Sequence, residues 1–105
     1  MNCWEAQMAT YFVTRHEGAI DWALRKGIEA QLVTHLDPSK IEKGDVVLGT
    51  LPVQIIAQIN ERGARYLHLE MSLPADQRGI ALTADDMERL GAQLIEYEAR
   101  RISEN

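Results

Sequence analysis

Cysteine is almost missing from this chain: Cys3 is the only one among 105 residues. A lone thiol closes no internal disulfide, so a hydrophobic core must hold the fold, and a cytoplasmic location is the expectation. No apolar run approaches the roughly 20 residues that a membrane span needs. The opening residues have neither the charged start nor the apolar centre of a secretory signal. Residues 1–9 are therefore expected to form a flexible leader, with Met8 a second possible start, ahead of a single α/β domain over residues 10–105. Positive charge is scarce too, with 11 Lys and Arg against 16 Asp and Glu and a net charge of −5. That balance argues against broad binding to long nucleic acid, while leaving room for a small anion held by a local arginine cluster.

Familiar catalytic signatures are absent as well. Gly49-Thr50-Leu51-Pro52 lacks the lysine of a phosphate-binding P-loop, and no strand is followed by a dinucleotide-binding glycine fingerprint. The three histidines, His16, His35 and His68, are scattered, with no cysteine or carboxylate at metal-ligand spacing. Neither a metal nor a cofactor is expected. Ser72 stands before leucine and proline, outside any nucleophile-elbow context.

What is present has the balance of an ordinary globular domain, 46% hydrophobic and 26% charged, with enough chain for one core. Tyr11 to Val13 reads as a short strand. Polar Thr14, Arg15 and His16 follow, and helical spacing begins near Gly18, with Ile20, Ala23 and Leu24 on one face. Basic Arg25 and Lys26 and the capping Gly27 end that helix. Ile28 to Leu36 alternates as a second strand, broken at Asp37-Pro38-Ser39. Val46-Val47-Leu48 suits a central strand buried on both faces. Pro52 opens a helix with Val53, Ile56, Ala57 and Ile59 turned inward, stopping at Arg62-Gly63. Tyr66, His68, Glu70 and Ser72 alternate with leucines and Met71 in a fourth strand, read as one polar and one apolar face. After a loop containing Arg78-Gly79, Thr83 caps a last helix whose stripe is Met87, Leu90, Leu94 and Tyr97, closed by Arg100 and Arg101. The order is β-α-β-β-α-β-α, a Rossmann-like α/β domain with a mostly parallel sheet. The link between strands two and three is too short for a helix, so that pair is either antiparallel or not adjacent.

In such a sheet, ligands bind beyond the carboxyl ends of the strands, where helix N-termini also favour anions. Thr14, Arg15 and His16, then Gly49 and Thr50, then Ser72 with the Arg78 loop are expected to share that edge. The plainer reading of Arg15 and His16 is as turn residues, of His68 and Trp22 as core or interface residues. Gathered together, the hydroxyls, arginines and His16 suit a phosphate ester handled without metal. Arginine grips phosphate bidentately, and histidine exchanges protons near neutral pH.

The stretch from Tyr11 to Ala23, with Gly49-Thr50-Leu51-Pro52-Val53, Arg62-Gly63-Ala64, Tyr66, Pro74 and Arg78-Gly79, resembles the Csx-sixteen family of small type III CRISPR-associated proteins. The resemblance covers about residues 10 to 83. It implies a CARF-like domain that binds cyclic oligoadenylate, with cyclic tetra-adenylate the expected messenger, across a homodimer. It further implies a ring nuclease that cuts by attack of a ribose 2′-OH on its own phosphate. Arg15 and His16 are then the expected catalytic residues, with Thr14, Gly49, Thr50, Leu51, Ser72 and Arg78 binding the ligand. A protein that only sequesters the messenger, or one that contacts another Cas component, would carry the same residues.

Overall fold

The computed structural model describes residues 9–72, 74, 76 and 81–103. Five strands form one sheet: β1 (Thr10–Val13), β2 (Gln31–Val33), β3 (Val46–Gly49), β4 (Arg65–Glu70) and β5 (Gln93–Tyr97). Their spatial order is β2-β1-β3-β4-β5. The first four run parallel, and β5 pairs antiparallel with β4 from Tyr66↔Tyr97 to Glu70↔Gln93. Strands two and three are thus not adjacent, because both pair in parallel with β1.

Helix α1 (Glu17–Arg25) ends as its sequence dictates. Gly27 adopts φ 74°, and the Ile28 N–H returns to the Ala23 carbonyl at 3.0 Å, the left-handed cap that only glycine adopts freely. Helix α2 (Val53–Glu61) starts at Pro52, and Gly63 turns the chain so that the Ala64 N–H reaches the Ile59 carbonyl at 3.1 Å. Helix α3 (Ala84–Arg89) has the Thr83 cap, completed by a capping box with Asp86.

The last helix is where sequence periodicity misleads. Rather than running on to Arg100, α3 stops after Arg89: Gly91 takes φ 76°, and the Ala92 N–H closes on the Met87 carbonyl at 2.9 Å. Leu94 and Tyr97 then lie on opposite faces of β5. Leu94 packs against the α1 and α3 side, whereas Tyr97 is 46% exposed. Glycine costs about 1 kcal/mol inside a helix, while five residue pairs with β4 cover what would otherwise be an open sheet edge. Arg100 and Arg101 follow the strand and are exposed.

Apolar side chains bury on both faces of the sheet. Phe12, Trp22, Leu48, Leu69 and Met87 pack between the sheet and α1 with α3. Val47, Ile56, Ile59 and Tyr66 pack under α2. Trp22 is a core residue, 2% exposed, and its indole N–H donates to Glu88 Oε1 at 2.7 Å, which locks α1 to α3. The side of β4 read as polar is also covered: Tyr66 is 0% exposed and His68 is half-buried. α2 lies over that side, so alternation in β4 separates two buried faces rather than core from solvent.

Candidate functional site

The order β2-β1-β3 means that the chain leaves β1 toward one side and later returns to add β3 on the other. Such a switch point opens a crevice at the carboxyl ends of the two central strands. Here it is a cleft of ≈ 490 Å³, within the range of small-molecule sites. Its apolar walls include Phe12, Val13, Leu69, Met71, Leu82 and Met87. Its polar rim is Thr14, His16 and Thr50, with Gly49 between β1 and β3.

Each rim residue has a local cause. The Thr14 N–H extends the ladder to the Val33 carbonyl at 3.0 Å. Its Oγ1 accepts the His16 N–H at 3.1 Å, a side-chain turn that ends β1 and leaves the threonine O–H free to donate. His16 is the N-cap of α1 in an extended conformation, and its side chain makes no capping hydrogen bond to that helix. Its first-turn N–H groups therefore present a positive end beside the cleft. Gly18 lets that turn approach the opposite wall. A Cβ there would lie 1.8 Å from the Leu82 carbonyl oxygen.

Not every expected residue is drawn in. Arg15 is exposed, makes no ion pair among the described residues, and lies next to the cleft rather than in its lining. His16 is exposed too, and its ring makes no hydrogen bond among the described residues. Thr50 is exposed at the rim. Leu51 faces away: its N–H donates to the Tyr66 hydroxyl at 2.9 Å, and its side chain packs on the α2-side core. Ser72 is exposed, with its N–H on the Leu90 carbonyl at 3.0 Å. It stays outside the lining, although its neighbour Met71 enters it. Arg78 lies outside the described residues.

The wall made by Met71, Leu82 and Met87 was not legible as part of a site, because its members come from two separate stretches joined only by folding. Tyr66 was missed as well. Its buried hydroxyl lies 2.9 Å from the Gly49 carbonyl and 2.7 Å from His68 Nδ1, besides accepting the Leu51 N–H. Burial raises the Tyr66 pKa, and the Leu51 N–H opposes that shift. A second recess of ≈ 320 Å³, on the α2 face, is lined by Val53, His68, Glu70 and Tyr97 among others. The His68 and Tyr97 rings meet edge-on there, with centroids 5.7 Å apart.

Among the described residues, no cluster of His, Cys, Asp or Glu is arranged to hold a metal ion, and no helix is long and apolar enough to cross a membrane.

Fold and cleft together define a small Rossmann-like domain with a crevice at its switch point. Residues 11–100 match the family model described as "Putative CRISPR-associated protein (Cas_VVA1548)", and the chain belongs to that CRISPR-associated family. No curated protein and no solved structure matches it.

Proposed function

We propose that this protein binds cyclic oligoadenylate, cyclic tetra-adenylate in particular, and cleaves it, switching off type III CRISPR signalling. One observation carries the reading: a CRISPR-associated chain holds a crevice with apolar walls and a rim of Thr14, His16 and Thr50 beside a helix N-terminus that the His16 side chain does not cap. Apolar walls suit the faces of an adenine, and hydroxyls with free N–H groups suit the sugar and phosphate.

In the proposed reaction a ribose 2′ oxygen attacks the adjacent phosphorus and the bond to the 5′ oxygen breaks. The products are a 2′,3′-cyclic phosphate and a 5′-OH, and no water is consumed. The crevice contributes by holding the 2′ oxygen in line, an effect worth several kcal/mol. N–H groups of α1 and the threonine hydroxyls stabilise charge on the phosphoryl oxygens, and Arg15 meets phosphate from the solvent side. His16 takes the 2′ proton or returns one to the leaving 5′ oxygen. A crevice of ≈ 490 Å³ suits one nucleotide better than a four-nucleotide ring. A two-fold pair of protomers would cover a symmetric ring.

The exposed His16 ring, with no hydrogen-bond partner among the described residues to orient it, favours a second reading in which the protein sequesters the messenger uncut. Incubating pure protein with cyclic tetra-adenylate in excess EDTA, read by chromatography, separates the two. A product ending in a cyclic phosphate is expected from the wild type. His16→Ala should bind nearly as tightly and cut at least about 100-fold more slowly. Tight binding without any cutting would leave sequestration standing. Cutting that needs an added divalent metal would sink the metal-independent mechanism.

A further inference from the structure

The rim of the crevice on the β3 side is Gly49, the last residue of β3, with Thr50 and Leu51 beyond it, and past Gly49 the chain leaves the sheet ladder. Thr50 is exposed, Pro52 donates no hydrogen bond, and Gly49 is the most permissive residue available. Gly49 is paired with Val13 of β1 and His68 of β4, and a side chain of β4 adds a second restraint that reaches past it. The Tyr66 oxygen accepts the Leu51 N–H at 2.9 Å and lies 2.9 Å from the Gly49 carbonyl oxygen. The two ends of the loop are thus tied to one buried atom.

The phenol has a single hydrogen, and two acceptors compete for it. When it goes to the Gly49 carbonyl, His68 Nδ1, 2.7 Å from the same oxygen, must carry its own hydrogen and donate. In that arrangement the His68 Nδ1–H and the Leu51 N–H both donate to the Tyr66 oxygen, whose own O–H donates to the Gly49 carbonyl. His68 is in turn packed edge-on against Tyr97, which keeps the imidazole in place. A phenol is protonated at neutral pH in any case, as this arrangement needs, and burial moves its pKa further up.

We propose that Tyr66, oriented by His68, is the positioning residue for the Gly49–Leu51 loop, and so sets where Thr50 and the β3 rim stand relative to Thr14 and His16. It acts from behind the crevice and does not line it. For its effect on turnover the proposal rests on the ring-nuclease reading; for the state of the loop it stands alone.

Tyr66→Phe keeps the ring and removes the oxygen. His68→Leu keeps bulk and removes the N–H, while His68→Asn restores an N–H donor. Tyr97→Phe, which touches His68 but not the loop, is the control. Amide hydrogen exchange should speed up at Leu51 by at least about 10-fold in Tyr66→Phe, with core amides of β1 and α1 unchanged. With cyclic tetra-adenylate, Tyr66→Phe and His68→Leu should lose about 10- to 100-fold in kcat with KM within about threefold. His68→Asn should recover most of the loss, and Tyr97→Phe should stay near wild type. If Tyr66→Phe proves too unstable to assay, the pair His68→Leu and His68→Asn decides by the same readouts. Unchanged exchange at Leu51, or a kcat loss that merely tracks the unfolded fraction, would overturn the proposal. A wild type that never cuts the ring would sink the ring-nuclease reading, and Leu51 exchange would still decide the role of Tyr66.

Discussion

Gly49 and Val13 stand side by side at the carboxyl ends of β3 and β1, so close that a Cβ on Gly49 would lie 2.9 Å from the Val13 carbonyl oxygen. Gly49 has φ 152°, a region that is essentially closed to other residues. The crevice opens at this junction, and its shape depends on a side chain being absent. Gly49→Ala should cost about 1–3 kcal/mol in a chemical denaturation series and, if the proposed function holds, weaken binding of cyclic tetra-adenylate at the same time. An alanine variant with the wild-type unfolding midpoint and affinity would show that the junction relaxes easily.

Arg15 lies next to the cleft and has no ion-pair partner among the described residues, so its charge is available to a ligand phosphate. Against a net charge of −5, a polyanionic ring needs such local help. Arg15→Ala should weaken binding of cyclic tetra-adenylate well beyond Arg100→Ala, and the gap should narrow as salt is raised. Titrations at low and high salt test this; equal losses for both variants would place the phosphate elsewhere.

Asp45 is 2% exposed and fastens the entry to the sheet. Its Oδ1 accepts the Ala9 N–H at 3.0 Å, and its Oδ2 accepts the Glu42 N–H at 2.9 Å. Asp45→Ala leaves both amides without a partner and should cost about 2–4 kcal/mol. Asp45→Asn, which keeps only one acceptor oxygen, should cost less. Urea unfolding of the three proteins gives the order; an alanine variant as stable as wild type would remove the role.

Acid should loosen α3 first among the helices. The Asp86 carboxyl is held below its ordinary value of 3.8, chiefly by the Thr83 N–H and then by Arg89. Because the folded value lies below the unfolded one, this contribution is complete above the unfolded value and is lost as pH falls through the folded one. Glu88, lowered chiefly by Lys26, and Glu96, lowered chiefly by Arg65, act in the same direction. Thermal unfolding between about pH 5 and 2 should be less pH-dependent in Asp86→Asn than in wild type. Parallel curves for the two proteins would show that the cap does not contribute.

The sequence by itself determined the features that depend on neighbours along the chain. The left-handed stops at Gly27 and Gly63, the Thr83 cap, the apolar run of β3 and the first seven elements in order follow from turn chemistry and period. Polar Thr14 and His16 at the end of β1 could be placed at a strand's carboxyl edge for the same reason. Tertiary structure alone decided which strands are neighbours. Only with β1 between β2 and β3 does the switch point fall between Thr14 and Gly49, and no local pattern encodes that pairing. It also decided the fate of Gln93–Tyr97, whose spacing continues a helical stripe from Met87 and Leu90 but whose backbone groups pair instead with the open edge of β4. Tyr66 shows the same limit: alternation assigned it to a polar face, and only α2 packed over β4 made that face an interior. There a hydroxyl must find partners, and it finds them in Leu51, Gly49 and His68. Local propensity acts over a few residues, whereas strand pairing and burial are settled by contacts between residues far apart in the chain.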